Sequence, residues 1–341
     1  MERVLPHAYA FASRLTYFLR YSGLKSAVAR QTVVVYGYCT PFSPRTYFFA
    51  YSTDFDSEDF DKIFDDENFY SLGNFKFYAN VRIDMKQPDN IEYHSDKRSF
   101  NNSLRSHWPD PSLGYSDSST GSDVLNFIEK FLDNTQVPVC GSVIHICLKR
   151  YPNELDIDNL IERIRQSHSF VTVLISENCS GGLYFQTMYN LATKTNGLGF
   201  FAKDQEGYYM AEAYLIVWEE EAHVTYSTNV NVSGQGSVTL PSMSITPYMH
   251  DMLFTVQDSG IVSTFQDMNL TFHGSTDTYT LTNENNGEFR WMSNFISGRH
   301  NFTDTNYSIT LDYQYSDSKQ QTLQLRIYSW ETPNYWIPYA N

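Results

Sequence analysis

The feature that most constrains this chain is a change of period. From about residue 31 to 205, apolar strand-like runs alternate with helix-spaced stripes, and after about Asp204 the helical spacing stops. The runs are Gln31 to Tyr38, Tyr47 to Ser52, Phe75 to Met85, Ser142 to Leu148, Phe170 to Ser176 and Leu198 to Ala202. Between them Val124, Phe127, Ile128 and Phe131 fall at i, i+3, i+4, i+7, as do Ile157, Leu160, Ile161 and Ile164. Tyr184, Met188, Leu191 and Ala192 form a third stripe. Asp123, and either Asp156 or Asp158, stand where N-caps belong. Strands separated by helices build a parallel sheet covered by those helices.

Residues 207 to 341 instead show short alternating runs: His223 to Val232, Met252 to Gln257, Met268 to His273, Thr278 to Thr282, Ser308 to Tyr315 and Thr322 to Trp330. Clusters of Gly, Asn, Asp and Ser divide them, and Asn286-Gly287 is a hairpin signal. This pattern predicts an antiparallel β-sandwich. A chain of 341 residues has room for both units. The expected organisation is a basic N-terminal segment (1–30), an α/β domain (31–205) and a sandwich (206–341).

Net charge of −15 repels phosphate backbones and disfavours nucleic acid and anionic membrane as partners. No apolar segment is long enough to span a bilayer as a helix. The 26 Tyr and 24 Phe suit a β-rich chain. Sequons begin at Asn101, Asn178, Asn231, Asn269, Asn301 and Asn306, which points to the secretory pathway or the cell exterior. The N-terminal stretch does not read as a secretory signal: "LPHAYAFA" is interrupted by His7 and followed by Arg14. A surface helix, or a start site downstream of a signal peptide, is favoured there over a transit-like peptide.

The order "YFFAYST", helix 57 to 70, "FKFYANVRIDM", "IEYHSD", the loop "SDSSTGSD", helix 123 to 132, "SVIHICL", helix 156 to 167, "FVTVLIS", helix 183 to 195 and "LGFFA" resembles a von Willebrand factor A-type domain. Its pairing with a Tyr-rich sandwich resembles an uncharacterised nematode family. The resemblance implies a doubly wound, mostly parallel sheet with its ligand site at the carboxyl ends of the strands. The expected fold class is therefore α/β plus all-β. In metal-competent A-type domains, an Asp-x-Ser-x-Ser loop after the first strand, a later Thr, and an Asp after the fourth strand hold a divalent cation. Here Ser52, Asp54 and Asp56 stand at the loop positions by strand register, or Asp54, Asp56 and Glu58 if shifted by two. Ser119 or Thr120 stands for the Thr.

After the fourth strand, however, Leu148, Lys149 and Arg150 replace the expected Thr-Asp-Gly, so a cation lies where a metal ligand is needed. The expectation is a degenerate site without metal, in which Lys149, or an Arg guanidinium, neutralises Asp54 and Asp56. If an ion binds, Mg or Ca on Asp54, Asp56 and Thr120 is the ligand set. Asp54, Asp56, Glu58 and Asp59 also suit the start of a helix. The partner-binding edge comprises Asp54, Asp56, Ser119, Thr120 and Lys149.

The same topology brings Cys39 and Cys140 to the amino-terminal edge of the sheet, where they are expected to pair. Among other stretches, "CSGGLYF" (Cys179 to Phe185) lacks the elements of a nucleotide loop and reads as a turn into a helix. The nine histidines form no metal pair, and no nucleophile elbow is present. His145 reads as a satisfied or solvent-facing strand residue, Cys147 and Cys179 as buried or bridged, and Glu219 to Glu221 as a solvated face. The leading expectation is a non-enzymatic interaction or adhesion module, with no cofactor, meeting protein or glycan surfaces. Metal-dependent adhesion and a hydrolase using the strand-edge carboxylates are the alternatives.

Overall fold

All seven residues of β1 (Thr46–Ser52) are buried, which requires cover on both faces of the sheet. The structure, a computed structural model, describes residues 38–63, 75–204, 222–260, 264–283 and 294–340. The strand expected from Gln31, the N-terminal segment, the helix beyond Ile63, Glu219 to Glu221 and Asn286-Gly287 lie outside the described residues in whole or in large part.

β1 is followed by α1 (Ser57–Ile63), β2 (Phe77–Ile83), β3 (Glu92–His94), α2 (Lys97–Ser106), α3 (Val124–Leu132), β4 (Val143–Leu148), α4 (Asp158–Gln166), β5 (Phe170–Ser176), α5 (Phe185–Lys194) and β6 (Gly199–Ala202). The sheet order is β3-β2-β1-β4-β5-β6, with β3 alone antiparallel. This is a doubly wound sheet, and its order reverses between β1 and β4, so the loops after those two strands diverge and open a crevice.

Alternation along β1 divides the core. Phe48 and Ala50 join the buried stripes of α3, α4 and α5. Tyr47, Phe49 and Tyr51 join Phe60 of α1 and Phe100 and Leu104 of α2, together with Val224, Leu253 and Tyr328 from the second half of the chain. The second face of the parallel sheet is thus covered partly by helices and partly by a sandwich sheet.

That sandwich comprises β7 (His223–Val232), β8 (Gln235–Ser244), β9 (Met249–Thr255), β10 (Phe265–His273), β11 (Thr278–Thr282), β12 (Phe295–Asn301), β13 (Asn306–Tyr315) and β14 (Gln321–Ser329). Its two antiparallel sheets run β11-β10-β13-β8 and β12-β9-β14-β7, enclosing a second core. Gly234, at φ +64, makes the turn from β7 to β8. Two buried side chains of β14 tie the halves together. Arg326 donates to the carbonyls of Gly197 (2.9 Å), Thr228 (2.9 Å) and Thr193 (3.3 Å). Gln324 donates to Thr193 Oγ1 and accepts from the Gly199 N–H.

Three elements are absent from the sequence expectations. α2 carries only two buried apolar side chains, Phe100 and Leu104, one turn apart, and starts at Asp96, whose carboxylate accepts the Ser99 N–H at 2.9 Å. β8 and β12 are edge strands, one containing Pro241 and the other Gly298, so they need little alternation. The expected caps are met in part, with Asp123 at the N-cap of α3. Ile157 occupies the N-cap of α4, and Asp123 at the start of α3 gives its carboxylate to the Asp84 N–H at 2.9 Å instead of its own helix. Cys39 and Cys140 form a disulfide with a Cα separation of 5.6 Å, joining the segments ahead of β1 and β4. His145 is fully buried beside the Tyr47 and Phe49 rings rather than solvent-facing, and burial lowers its pKa to about 3.

Candidate functional site

At the crevice, β1 runs through Ser52 and Thr53 to Asp54, whose carboxylate is almost wholly buried. Asp54 Oδ2 accepts from Arg150 Nε at 3.0 Å and from the Ser180 hydroxyl at 2.5 Å. The Arg150 guanidinium also donates to the carbonyls of Asp117 (2.9 Å), Thr120 (2.8 Å) and Tyr115 (3.2 Å). Its carbon lies 5.4 Å from the centroid of the Tyr115 ring. One buried cation therefore fastens the β1 loop to residues 115–120, using the planar array of donors that distinguishes Arg from Lys.

Two glycines allow the fit. A Cβ on Gly114 would stand 2.1 Å from Asp54 Oδ1, and one on Gly181 would stand 2.3 Å from Arg150 Nη1. Gly181 belongs to the "CSGGLYF" turn. That turn spends its backbone groups internally, because Gly181 accepts from the Tyr151 N–H and Gly182 donates to the Ser118 carbonyl.

Lys149 is not the neutralising cation. It pairs with Asp204, which also accepts from Ser176, and its ammonium lies 5.6 Å from the centroid of the Phe55 ring. Asp54 and Asp56 do not converge either. Asp56 is exposed and caps α1, its Oδ1 accepting the Glu58 N–H at 2.9 Å. Thr120 Oγ1 and Ser119 Oγ donate to Asp117 at 2.9 and 2.7 Å. The Ser119 and Thr120 bonds hold the Asp117 carboxyl down at about 2.

The structure thus does not bring the expected ligand set together. Asp54 is occupied by a guanidinium, Asp56 by a helix terminus and Thr120 by a loop turn. Among the described residues, no three His, Cys, Asp or Glu side chains are grouped to hold a metal.

Asp84, not singled out from the sequence, completes the arrangement. It follows β2 at φ +66 and is fully buried, accepting from Ser52 Oγ and Ser122 Oγ at 2.5 and 2.6 Å. Burial raises its pKa to about 7, against the lowering by those two hydroxyls. The available signal was an acid ending an otherwise apolar strand. Its burial makes it an anchor between β1 and α3 rather than a group presented to a ligand. Of the two cysteines outside the disulfide, Cys147 is buried, with its thiol pushed well up by desolvation, and Cys179 is exposed.

Residues 228–330, most of the sandwich, match a domain of unknown function, DUF7154. No curated protein matches the chain. Among solved structures, proximal thread matrix protein 1 from the mussel byssus is similar at 10% identity and TM-score 0.36, over 56% of this chain and 50% of that one. A von Willebrand factor type A protein from Catenulispora acidiphila is similar at 8% identity and TM-score 0.35, over 86% of this chain and 59% of that one. BatB from Bacteroides thetaiotaomicron is similar at 15% identity and TM-score 0.34, over 50% of this chain and 95% of that one. The chain spans 50% and 59% of the lengths of the first two proteins. The fold class itself rests on the strand order and helix cover described above.

Proposed function

We propose that the chain is a non-enzymatic interaction module that meets a protein or glycan surface with the loops at the carboxyl edge of its parallel sheet, without a bound divalent cation. The observation that carries this reading is Arg150, buried against Asp54 and three loop carbonyls. A guanidinium there supplies the positive charge that the carboxylate requires and holds the loops in one arrangement before any partner arrives. The edge offers mixed chemistry: Asp56, Asp117 and Ser119 are exposed, and Leu183 and Leu155 stand 62% and 58% exposed on adjoining loops. Asp84 and Asp123, the carboxyls whose pKa values burial raises at this edge, are engaged internally, Asp84 by Ser52 and Ser122 and Asp123 by the Asp84 N–H, which argues against acid–base chemistry there.

An oxidising compartment belongs to the same proposal, supported by the Cys39–Cys140 disulfide and by exposed sequon residues Asn178, Asn231, Asn301 and Asn306. The deciding test is thermal unfolding in EDTA and in millimolar Mg or Ca. The expected result is the same midpoint in all three. A clear rise with either ion would show a ligand bound to the folded state and would restore the metal-dependent alternative.

A further inference from the structure

We propose that the β-sandwich carries a second binding site, a polar cleft that takes a neutral saccharide. The cleft lies where Thr225 of β7, Ser244 of β8 and His250 of β9 meet the segment after β14, which contributes Glu331, Asn334 and Tyr335. Its volume is about 170 Å³. A single water takes roughly 10 to 15 Å³ on the same measure, so the space is that of a sugar ring or two rather than of one or two waters.

His250 is the most buried of the polar groups that define this cleft. The residue is only 2% exposed, its Nδ1 donates to the Tyr248 carbonyl at 3.0 Å, and its ring packs edge-on against Phe302. That bond sets the tautomer, leaving Nε2 as an acceptor on a residue that lines the cleft. A ligand O–H can donate to Nε2, and the partial enclosure of the cleft shields that bond from competing solvent. Burial lowers the basicity of His250, and the neighbouring Asp251 and Glu331 charges only partly oppose this, so the ring is neutral at pH 7.

Glu331 adds carboxylate acceptors, Thr225 Oγ1, which already donates to the Ile327 carbonyl, adds another acceptor, and Ser244 and Asn334 add groups that donate as well as accept. Tyr335, 63% exposed, presents an aromatic face at the mouth. Acceptors inside, dual-role groups around them and one aromatic face match a sugar, whose hydroxyls both donate and accept and whose C–H face stacks on a ring. An anionic ligand is disfavoured by Glu331 and by the net charge of −15. A divalent ion would find only one carboxylate in the lining.

This site is independent of the carboxyl-edge reading, and neither depends on the other. The test is saturation-transfer NMR on the full chain with the methyl glycosides of glucose, galactose, mannose and N-acetylglucosamine, and with choline as a cationic control. Saturation transfer to the ring protons of at least one glycoside is expected. Tyr335→Ala and Glu331→Gln, both at exposed positions, should each weaken binding by about tenfold, the scale of 1.4 kcal/mol. The proposal is overturned if no glycoside receives saturation, if neither variant changes the affinity, or if choline binds in preference.

Discussion

Replacing Arg150 with Ala tests whether a guanidinium stands in the place of an ion. The side chains of Arg150 and Asp54 are 2% and 7% exposed, and the change leaves Asp54 buried with the Ser180 hydroxyl as its remaining side-chain donor. Breaking a buried pair by removing one partner costs about 3 to 5 kcal/mol, chiefly for the uncompensated charge. At roughly 2 to 4 °C per kcal/mol, the melting midpoint should fall by about 6 to 20 °C. If the charge is the cause, Arg150→Ala combined with Asp54→Asn should cost less than Arg150→Ala alone, because the orphaned carboxylate is gone. A divalent ion should also recover part of the loss in Arg150→Ala alone, by about 1.4 kcal/mol at tenfold excess over its Kd. Urea unfolding followed by tryptophan fluorescence, with and without magnesium, measures all three quantities. A loss under about 1 kcal/mol, a double variant worse than the single, or magnesium stabilisation of the parent protein would each refute the reasoning.

Asp84 predicts a pH dependence. Its folded pKa of about 7 lies above the ordinary 3.8, so the stability it contributes is complete below about pH 4 and is lost as pH rises through 7. Asp84→Asn keeps a neutral hydrogen-bonding group and suits the left-handed backbone, so its unfolding midpoint should decline less than the parent's between pH 5 and 8. Equal slopes would count against a buried proton at Asp84. The disulfide closes a separation of 101 residues, for which chain entropy allows up to roughly 4 to 5 kcal/mol. Cys140→Ser should therefore melt well below the parent, and alkylation of native protein should label exposed Cys179 while sparing Cys39 and Cys140. Finally, Arg326→Met removes a buried staple between the halves and should cost at least about 2 kcal/mol and split the calorimetric transition into two. A single unshifted transition would show that apolar contacts alone couple them.

Legibility from sequence followed burial. Strands buried on both faces, such as β1 and β5, and helices with one apolar face, such as α3 and α4, announce themselves through spacing because every misplaced polar residue there would be costly. α2, β8 and β12 bury little and so leave little pattern. Asp84 was hidden for a different reason. Its partners Ser52 and Ser122 are common loop residues far apart in the chain, and only the fold brings their hydroxyls to one carboxylate.

Between Lys149 and an Arg guanidinium as the neutralising cation, which the sequence leaves open, the deciding information is a matter of parity. β1 and β4 pair in parallel with Ala50 opposite Ile146 and Tyr51 opposite Cys147, an offset of 96 residues. Carried four residues past Ala50, that register sets Asp54 directly across from Arg150. Alternation agrees: Ala50, Ile146 and Leu148 face α3, α4 and α5, and the even-numbered Ser52 and Arg150 continue on that side to meet Asp84 and the 115–120 loop. Lys149 continues the side of Cys147, and there it finds Phe55 and Asp204. A family motif located by counting from the strand end leaves two adjacent cations equivalent. Pairing register separates them, since a one-residue slip sends a side chain to the opposite face of the sheet. The charge that governs this edge is thus assigned by the same alternation that builds the core beneath it.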